Sequence, residues 1–370
     1  MKRPQFVHFM CVQSELYFSF KALVTLKENK TNPTRPIDGQ IAELPLPSII
    51  PISSVRLLKA NTFSIKIVGL NLNRQEVFKK TFESDHFGSF SFKLPLTEHT
   101  KQIDVVQVYE TSFLPGLEIN MGSFLPLKIA KHSKIVISDF DKTLVDTRYA
   151  TAKEVYRSLT RPLSAFPTIP RSVEILKSYI DQSFHPFILS ASPHFYEDAI
   201  RDWLYQNQIF TAGIFLKDYR HVFSFFEGEL RPKDLKVQGL YKLNQLLNIL
   251  LMTGVPEELV LMGDNFESDP LIYLLLTKII LDGENPRALW QRMGRHESFL
   301  FNNSQDSKIL NKLYQLKNNL NQASYKPKIT IHIRKRNQET DIEEVAMDLE
   351  KFRPLLSLYD GSEVKSLMGH

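Results

Sequence analysis

Cysteine, glycine and long apolar runs are all scarce in this chain. Cys11 is the single cysteine, so an intrachain disulfide is impossible and nothing requires an oxidising compartment. One cysteine cannot build a zinc ribbon, and the ten histidines show no close metal-ligand spacing. The longest apolar run, Leu271 to Leu281, has 11 residues and includes Lys278. A membrane span needs about 20 residues, so no integral membrane segment is expected. Lys2 and Arg3 precede a short apolar stretch, Phe6 to Val12, but Glu15 follows without a small-residue cleavage site, which argues against a secretory signal. Fourteen glycines in 370 residues is about half the usual share of roughly 7%. A one-sided charge is missing too. With 46 Lys+Arg against 41 Asp+Glu the formal net charge is +5, compatible with anionic partners but too small to define one.

Hydrophobic residues make up 43% and charged residues 24%, the composition of a soluble globular protein, and this excludes a wholly disordered chain. Twenty-six phenylalanines promise aromatic cores. At about 100–200 residues per domain, the length suggests two domains and a tail. Residues 1–132 read as an all-β, sandwich-like accessory domain. Leu16 to Leu26 and Thr62 to Leu70 are rich in β-branched and aromatic residues, with further strand candidates at Val77 to Phe82, Phe90 to Leu94 and Ile103 to Tyr109. The segment Ser84 to Gly88 has turn chemistry, and the proline-rich stretch Lys27 to Ser53 reads as a loop. Residues 133–324 alternate compact apolar strands (Ile135 to Ile137, Phe187 to Leu189, Leu259 to Met262) with helices (Ser172 to Tyr179, Phe195 to Tyr205, Leu240 to Leu251, Ser307 to Ala323). That alternation predicts an α/β fold: a Rossmann-like parallel sheet with helices on both faces. Residues 325–370 read as a tail, partly disordered or used for interaction, with a basic cluster from Lys326 to Arg336 and acids from Glu339 to Glu344.

Sites in such sheets form at the carboxyl ends of the strands, and there the polar residues are of a particular kind. The first strand runs into SDFDKT, with Asp139, Asp141 and Thr143; the second into SASPH, with Ser190; the third into GDNFESD, with Asp264 and Asp269. Lys242 lies 22 residues before Asp264, early in a predicted helix. A D-x-D-x-T pattern arises by chance in about one chain of this size in twenty. Each motif alone is weak, and the ordered set on buried strands is strong. The chemistry such a set can perform is phosphoryl transfer. An aspartate can attack phosphorus, a second carboxylate can protonate the leaving oxygen and later activate water, and a lysine and hydroxyls can stabilise the equatorial oxygens. Mg²⁺ held by hard oxygen ligands can offset the repulsion between carboxylates and a phosphate dianion.

At these residues the chain resembles the haloacid dehalogenase superfamily. It looks most like the catalytic domain of actin-patch-type, Mg²⁺-dependent phosphatidate phosphatases, through the stretches 137–147, 189–196, 215–219 and 263–273. The resemblance implies Asp139 as nucleophile and metal ligand, and Asp141 as general acid/base that also gives its backbone carbonyl to Mg²⁺. It implies Lys242 as the catalytic lysine, with Lys233 and Lys236 as rivals. Thr143, Ser190 and Ala191 are implied to bind substrate, while Asp264 and Asp269 belong to the metal set. Two departures are Phe140, where relatives carry Ile or Val, and Lys142, which reverses a charge where relatives often have a third acid. Lys142 is expected at the mouth of the site, and His194 either touches substrate or caps a helix. Only 43 residues lie between Asp146 and Ser190, so no large independent cap is expected and the site should accept bulky substrates.

The implied activity is Mg²⁺-dependent hydrolysis of a phosphomonoester through an aspartyl phosphate, with phosphatidate at a membrane surface as the substrate and diacylglycerol as product. The implied location is cytoplasmic, peripheral to a membrane. Two alternatives stay open: a phosphatase of the same type acting on another phosphomonoester, and a non-catalytic lipid- or protein-binding module. Intact acids at all three motifs argue against the second. No aromatic-basic stripe supports a nucleic-acid partner, and none is expected.

Overall fold

In a computed structural model, the described residues are 2–28, 50, 61–147, 152–217, 238–265, 268–294, 299, 303–335 and 349–361. They divide into two compact units. The first holds residues 1–128 together with two later segments, Ala152–Ala165 and His194–Gln206. Its strands are β1 (Lys2–Gln13), β2 (Tyr17–Glu28), β3 (Ser64–Leu70), β4 (Glu76–Glu83), β5 (Ser89–Pro95), β6 (Val105–Glu110), β7 (Ile119–Phe124) and β8 (Leu127–Lys128), with a helical turn α1 (Glu98–Lys101). They form two four-stranded sheets, ordered β5-β2-β1-β8 and β4-β3-β6-β7. Alternate residues of β2 (Phe18, Phe20, Ala22, Val24), β3 (Ile65, Ile67) and β6 (Val106, Val108) meet in one hydrophobic cluster, which is the period-2 pattern of strands with one buried face.

The apolar stretch Phe6 to Val12 is part of β1, paired antiparallel with β2. Its hydrophobicity belongs to a core, with Met10, Cys11 and Val12 all buried. Burial also raises the Cys11 thiol pKa, so the one cysteine is a core residue. The turn at Ser84 to Gly88 is built as its chemistry suggests: Asp85 Oδ1 accepts from the amides of Phe87 and Ser89. Gly88 has φ +75°, and a Cβ there would lie 2.3 Å from the Val24 carbonyl oxygen. The proline-rich loop falls outside the described residues, apart from its first two residues, which end β2, and Ile50.

The later segments of this unit carry α2 (Ala152–Thr160) and, after a 3-10 turn at His194–Tyr196, α4 (Glu197–Gln206). Glu197 is fully buried; its Oε2 meets His8 Nδ1 of β1 at 2.9 Å, and its Oε1 accepts from Arg201 at 2.7 and 3.0 Å. Burial opposes ionisation, but His8 and Arg201 outweigh it and hold the Glu197 carboxyl below its ordinary range. His194 belongs to this cluster, its ring 6.0 Å from that of His8. The segment from Phe195 to Tyr205 is thus helical over most of its length, yet it groups with the N-terminal strands.

The second unit is a six-stranded sheet ordered β11-β10-β9-β12-β13-β14, every neighbouring pair parallel. Its strands are β9 (Lys134–Asp139), β10 (His185–Pro193), β11 (Gly213–Lys217), β12 (Glu258–Asp264), β13 (Lys328–Lys335) and β14 (Leu356–Asp360). Its helices are α3 (Pro170–Asp181), α5 (Gln238–Thr253), α6 (Asp269–Asp282), α7 (Pro286–Met293) and α8 (Asn303–Gln322). The mixed α/β expectation is met. The run Leu271 to Leu281 lies within α6, buried around nearly its whole circumference, with Lys278 paired to Asp282 at 2.9 Å. No described helix is long and apolar enough to cross a membrane.

The segment expected to be a tail requires correction. Lys328–Lys335 and Leu356–Asp360 are two strands of the central sheet. Ile329, Ile331 and Ile333 are buried in it, so the alternation in TIHIR is that of a half-buried strand and the basic residues are its polar positions. The acids Glu339, Asp341, Glu343 and Glu344, and Arg336, lie outside the described residues. A cut at residue 132 also places Ala152–Ala165 and His194–Gln206 on the wrong side of the division.

Candidate active site

Strand order places the site. From β9 the chain moves to β10 on one side and to β12 on the other, which opens a crevice at the carboxyl end of β9. Asp139 is the last residue of β9 and pairs with Leu189 of β10, while Ser138 pairs with Met262 of β12. Ser190 therefore follows on one side of Asp139, and Gly263 and Asp264 on the other.

Beyond Asp139 the chain curls tightly. The amides of Leu144 and Val145 both donate to the Phe140 carbonyl, at 2.9 and 3.3 Å, and the Lys142 amide donates to Val145 O at 2.7 Å. Lys142 adopts φ +61°, a left-handed conformation that costs a lysine about 1–3 kcal/mol. This curl returns the Thr143 hydroxyl to Asp139 Oδ2 at 3.3 Å and the Thr147 hydroxyl to Asp141 Oδ1 at 2.9 Å.

Two clusters result. In the first, Asp139, Asp264 and Asp269 each place a carboxylate oxygen within 4.8 Å of the others, and all three are buried. Lys242, 1% exposed on α5, sits among them, its Nζ 2.5 Å from Asp269 Oδ1 and 3.1 Å from Asp139 Oδ1. Gly263 makes this approach possible: a Cβ there would lie 2.5 Å from Asp269 Oδ2 and 2.8 Å from the Tyr273 ring. The Asp264 amide reaches Asp269 Oδ2 at 3.4 Å. Tyr273 closes the floor and donates to Met262 O at 2.9 Å. Burial, then the nearby Asp269 charge, pushes its phenol pKa well up, so it remains a neutral donor. Three buried carboxylates are costly together unless cations lie among them. Lys242 brings one positive charge, and three hard oxygen donors in this spacing suit a small divalent cation.

The second cluster surrounds Asp141. Ser190 Oγ donates to Asp141 Oδ2 at 2.6 Å and Ser192 Oγ at 2.9 Å, while Thr147 takes the other oxygen. The Ser192 amide donates to Ser190 Oγ at 2.9 Å, which orients that hydroxyl. Tyr241, one residue before Lys242, donates to the Ser190 carbonyl at 3.1 Å.

Residues 134–280 match the family model described as the phosphatidate phosphatase APP1 catalytic domain. Over this segment the chain is similar to a phosphatase catalytic domain. No curated protein matches the chain. Among solved structures, a calcium-binding mutant of Bacteroides uniformis beta-glucuronidase 2 aligns at 10% identity and TM-score 0.23, over 88% of this chain and 33% of that one. Bifidobacterium dentium beta-glucuronidase aligns at 9% identity and TM-score 0.27, over 93% and 46%. The chain thus spans a third to under half of these structures, and likeness this faint carries no argument.

Within the matched segment, Asp139, Thr143, Lys242, Asp264 and Asp269 converge on one cluster, and Asp141 and Ser190 on the other. The Asp141 carboxylate is engaged by three hydroxyls and stands outside the three-carboxylate group. Ala191 lies between the two serines on β10, its side chain on the opposite side of the strand. The rival lysines Lys233 and Lys236 lie outside the described residues, as do Asp218 and Tyr219 of the 215–219 stretch. Lys142 corrects an expectation: it is 7% exposed, so the charge reversal is not displayed at an open mouth. Sequence reasoning passed over Ser192, Thr147, Tyr241, Tyr273 and Gly263. Ser192 had a signal, because residues two apart on a strand share a face. Tyr273, four residues beyond Asp269 on α6, had one as well.

Proposed function

We propose that the chain is a haloacid dehalogenase-type phosphatase that hydrolyses phosphatidate to diacylglycerol through an aspartyl phosphate, using Mg²⁺. The observation that carries this reading is the meeting of Asp139 with Lys242, Asp264 and Asp269 at the strand ends. Asp139 attacks phosphorus, and the bond to the diacylglycerol oxygen breaks as Asp141 delivers a proton to that oxygen. Asp141 then takes a proton from the water that hydrolyses the aspartyl phosphate. Ser190, bonded to Asp141 before substrate arrives, turns its hydroxyl to a phosphoryl oxygen, with the Thr143 hydroxyl, the Lys242 ammonium and the backbone at Ala191 holding the others. Asp139, Asp264, Asp269 and the Asp141 carbonyl are the groups that would hold Mg²⁺, which when bound supplies positive charge against the phosphate dianion. The substrate is met at a membrane surface from the cytoplasmic side.

The test is phosphate release from phosphatidate in detergent micelles, with and without Mg²⁺, for wild type and Asp139→Asn. Metal-dependent release by wild type and none by the variant is expected. Equal, negligible release by both, on phosphatidate and on a panel of soluble phosphomonoesters, would sink the assignment. Release confined to a soluble substrate would move the substrate away from lipid and keep the chemistry.

A further inference from the structure

Arg334 lies on β13, outside the segment that matches the phosphatase family. Resting on the reading above, we infer that Arg334 is a positioning residue of the phosphatase site, fixing Lys142 in its left-handed conformation and with it the Asp141–Lys142 peptide.

The geometry is direct. Arg334 Nη1 donates to the Lys142 carbonyl at 2.5 Å and lies 3.6 Å from Asp146 Oδ1, with the side chain 15% exposed. The Lys142 amide is held at the same time by Val145 O. Both backbone polar groups of the one residue with φ +61° in this loop are therefore captured, one from inside the loop and one from β13. Arg334 reaches the third motif as well: it pairs in register with Asp264, and its carbonyl accepts from the Asn265 amide at 3.1 Å. A guanidinium suits this post because it presents several donors in a rigid plane, which a lysine ammonium does not. Gly361, just past β14, backs the group; a Cβ there would lie 2.7 Å from Arg334 Nε and 2.9 Å from Ile169 Cγ2.

Rotation at Lys142 would swing the carbonyl of Asp141 and draw its carboxylate away from Ser190 and Ser192. A misplacement of about 1 Å at a reacting group can cost roughly 100-fold in rate. Arg334 acts through Asp141 and is assigned no contact with substrate.

The experiment uses full-length Arg334→Gln, Arg334→Ala and Gly361→Ala, the last displacing the guanidinium without removing a charge. Turnover is measured on phosphatidate micelles and p-nitrophenyl phosphate at saturating Mg²⁺, together with hydrogen exchange of the peptide covering 138–147 and the melting temperature. For Arg334→Gln, kcat should fall about 10- to 100-fold with KM within about twofold, exchange in 138–147 should quicken, and Gly361→Ala should shift both in the same direction. Added guanidinium ion should restore part of the Arg334→Ala kcat. Unchanged kcat, or a loss that guanidinium does not restore and that tracks a general fall in melting temperature, overturns the inference. If wild type is inactive on both substrates, the phosphatase reading fails by itself. Exchange in 138–147 then decides whether Arg334 positions the loop: quickened exchange upholds that role and unchanged exchange overturns it.

Discussion

Replacing Lys242 with methionine keeps most of the length of the unbranched side chain and removes its charge. The ammonium is 1% exposed and bridges Asp269 at 2.5 Å and Asp139 at 3.1 Å, so the variant leaves two carboxylates buried without it. Removing one partner of a buried ion pair costs about 3–5 kcal/mol. At about 2–4 °C per kcal/mol for a domain of this size, the melting temperature should fall by about 6–20 °C in the presence of chelator. Mg²⁺, by binding the folded state alone, should recover part of the difference. A double-mutant cycle with Asp269→Asn isolates the pair: the double variant should lose less than the sum of the singles. Calorimetry in chelator and in Mg²⁺ measures all four proteins, and phosphate release measures the catalytic loss beside them. A Lys242→Met protein within about 1 kcal/mol of wild type, far below the buried-pair cost, would refute the claim that this lysine neutralises the carboxylate cluster.

Three further outcomes follow from the same geometry. Gly263→Ala forces a Cβ to 2.5 Å from Asp269 Oδ2 and should cost about 1–3 kcal/mol of stability by overpacking, with weakened metal binding measurable by calorimetric titration. Ser190→Ala and Ser192→Ala each delete a hydroxyl donor to Asp141. Each should lower kcat by about tenfold or more, at about 1.5–3 kcal/mol for a charged hydrogen bond, with Ser190→Ala the more severe because the proposed mechanism also turns that hydroxyl to the phosphoryl group. The Glu197 carboxyl is held below its ordinary value of 4.5, so its ionised form is favoured in the folded chain. Its contribution is fully present above that value and is lost as pH falls through the lower, folded one. Acid unfolding should therefore be shallower in Glu197→Gln, and equal acid profiles for the two proteins would contradict the assignment.

The acids of the site were legible because each stands at the end of a short apolar strand, within a few residues of its partners. Asp139, Asp141 and Thr143 share one curl, while Asp264 ends β12 and Asp269 begins α6. Lys242 was legible through its spacing before Asp264 and its helical context. Less was visible of the groups that hold these residues. Thr147 and Ser192 sat inside the motifs without a pattern to single them out, because which hydroxyl faces Asp141 depends on the path of the loop. Arg334 is 192 residues from the carbonyl it binds, and no local signal joins the two. Its surroundings read as a basic tail because β13 alternates apolar with basic and polar residues, and its sheet neighbour β14 begins only at Leu356.

Composition alone excluded disulfides, zinc ribbons and long membrane-spanning runs, and the order of short apolar strands specified a parallel sheet with polar chemistry at its strand ends. These properties depend on residue type and near spacing, which the linear chain displays. Tertiary structure alone decided that two strands after residue 325 complete the sheet, that Ala152–Ala165 and His194–Gln206 group with the N-terminal strands, and that Arg334 reaches the first motif. The physical reason is common to all three. Each depends on pairing or contact between segments far apart in sequence, where burial and hydrogen bonding select one partner among many that local propensity would allow.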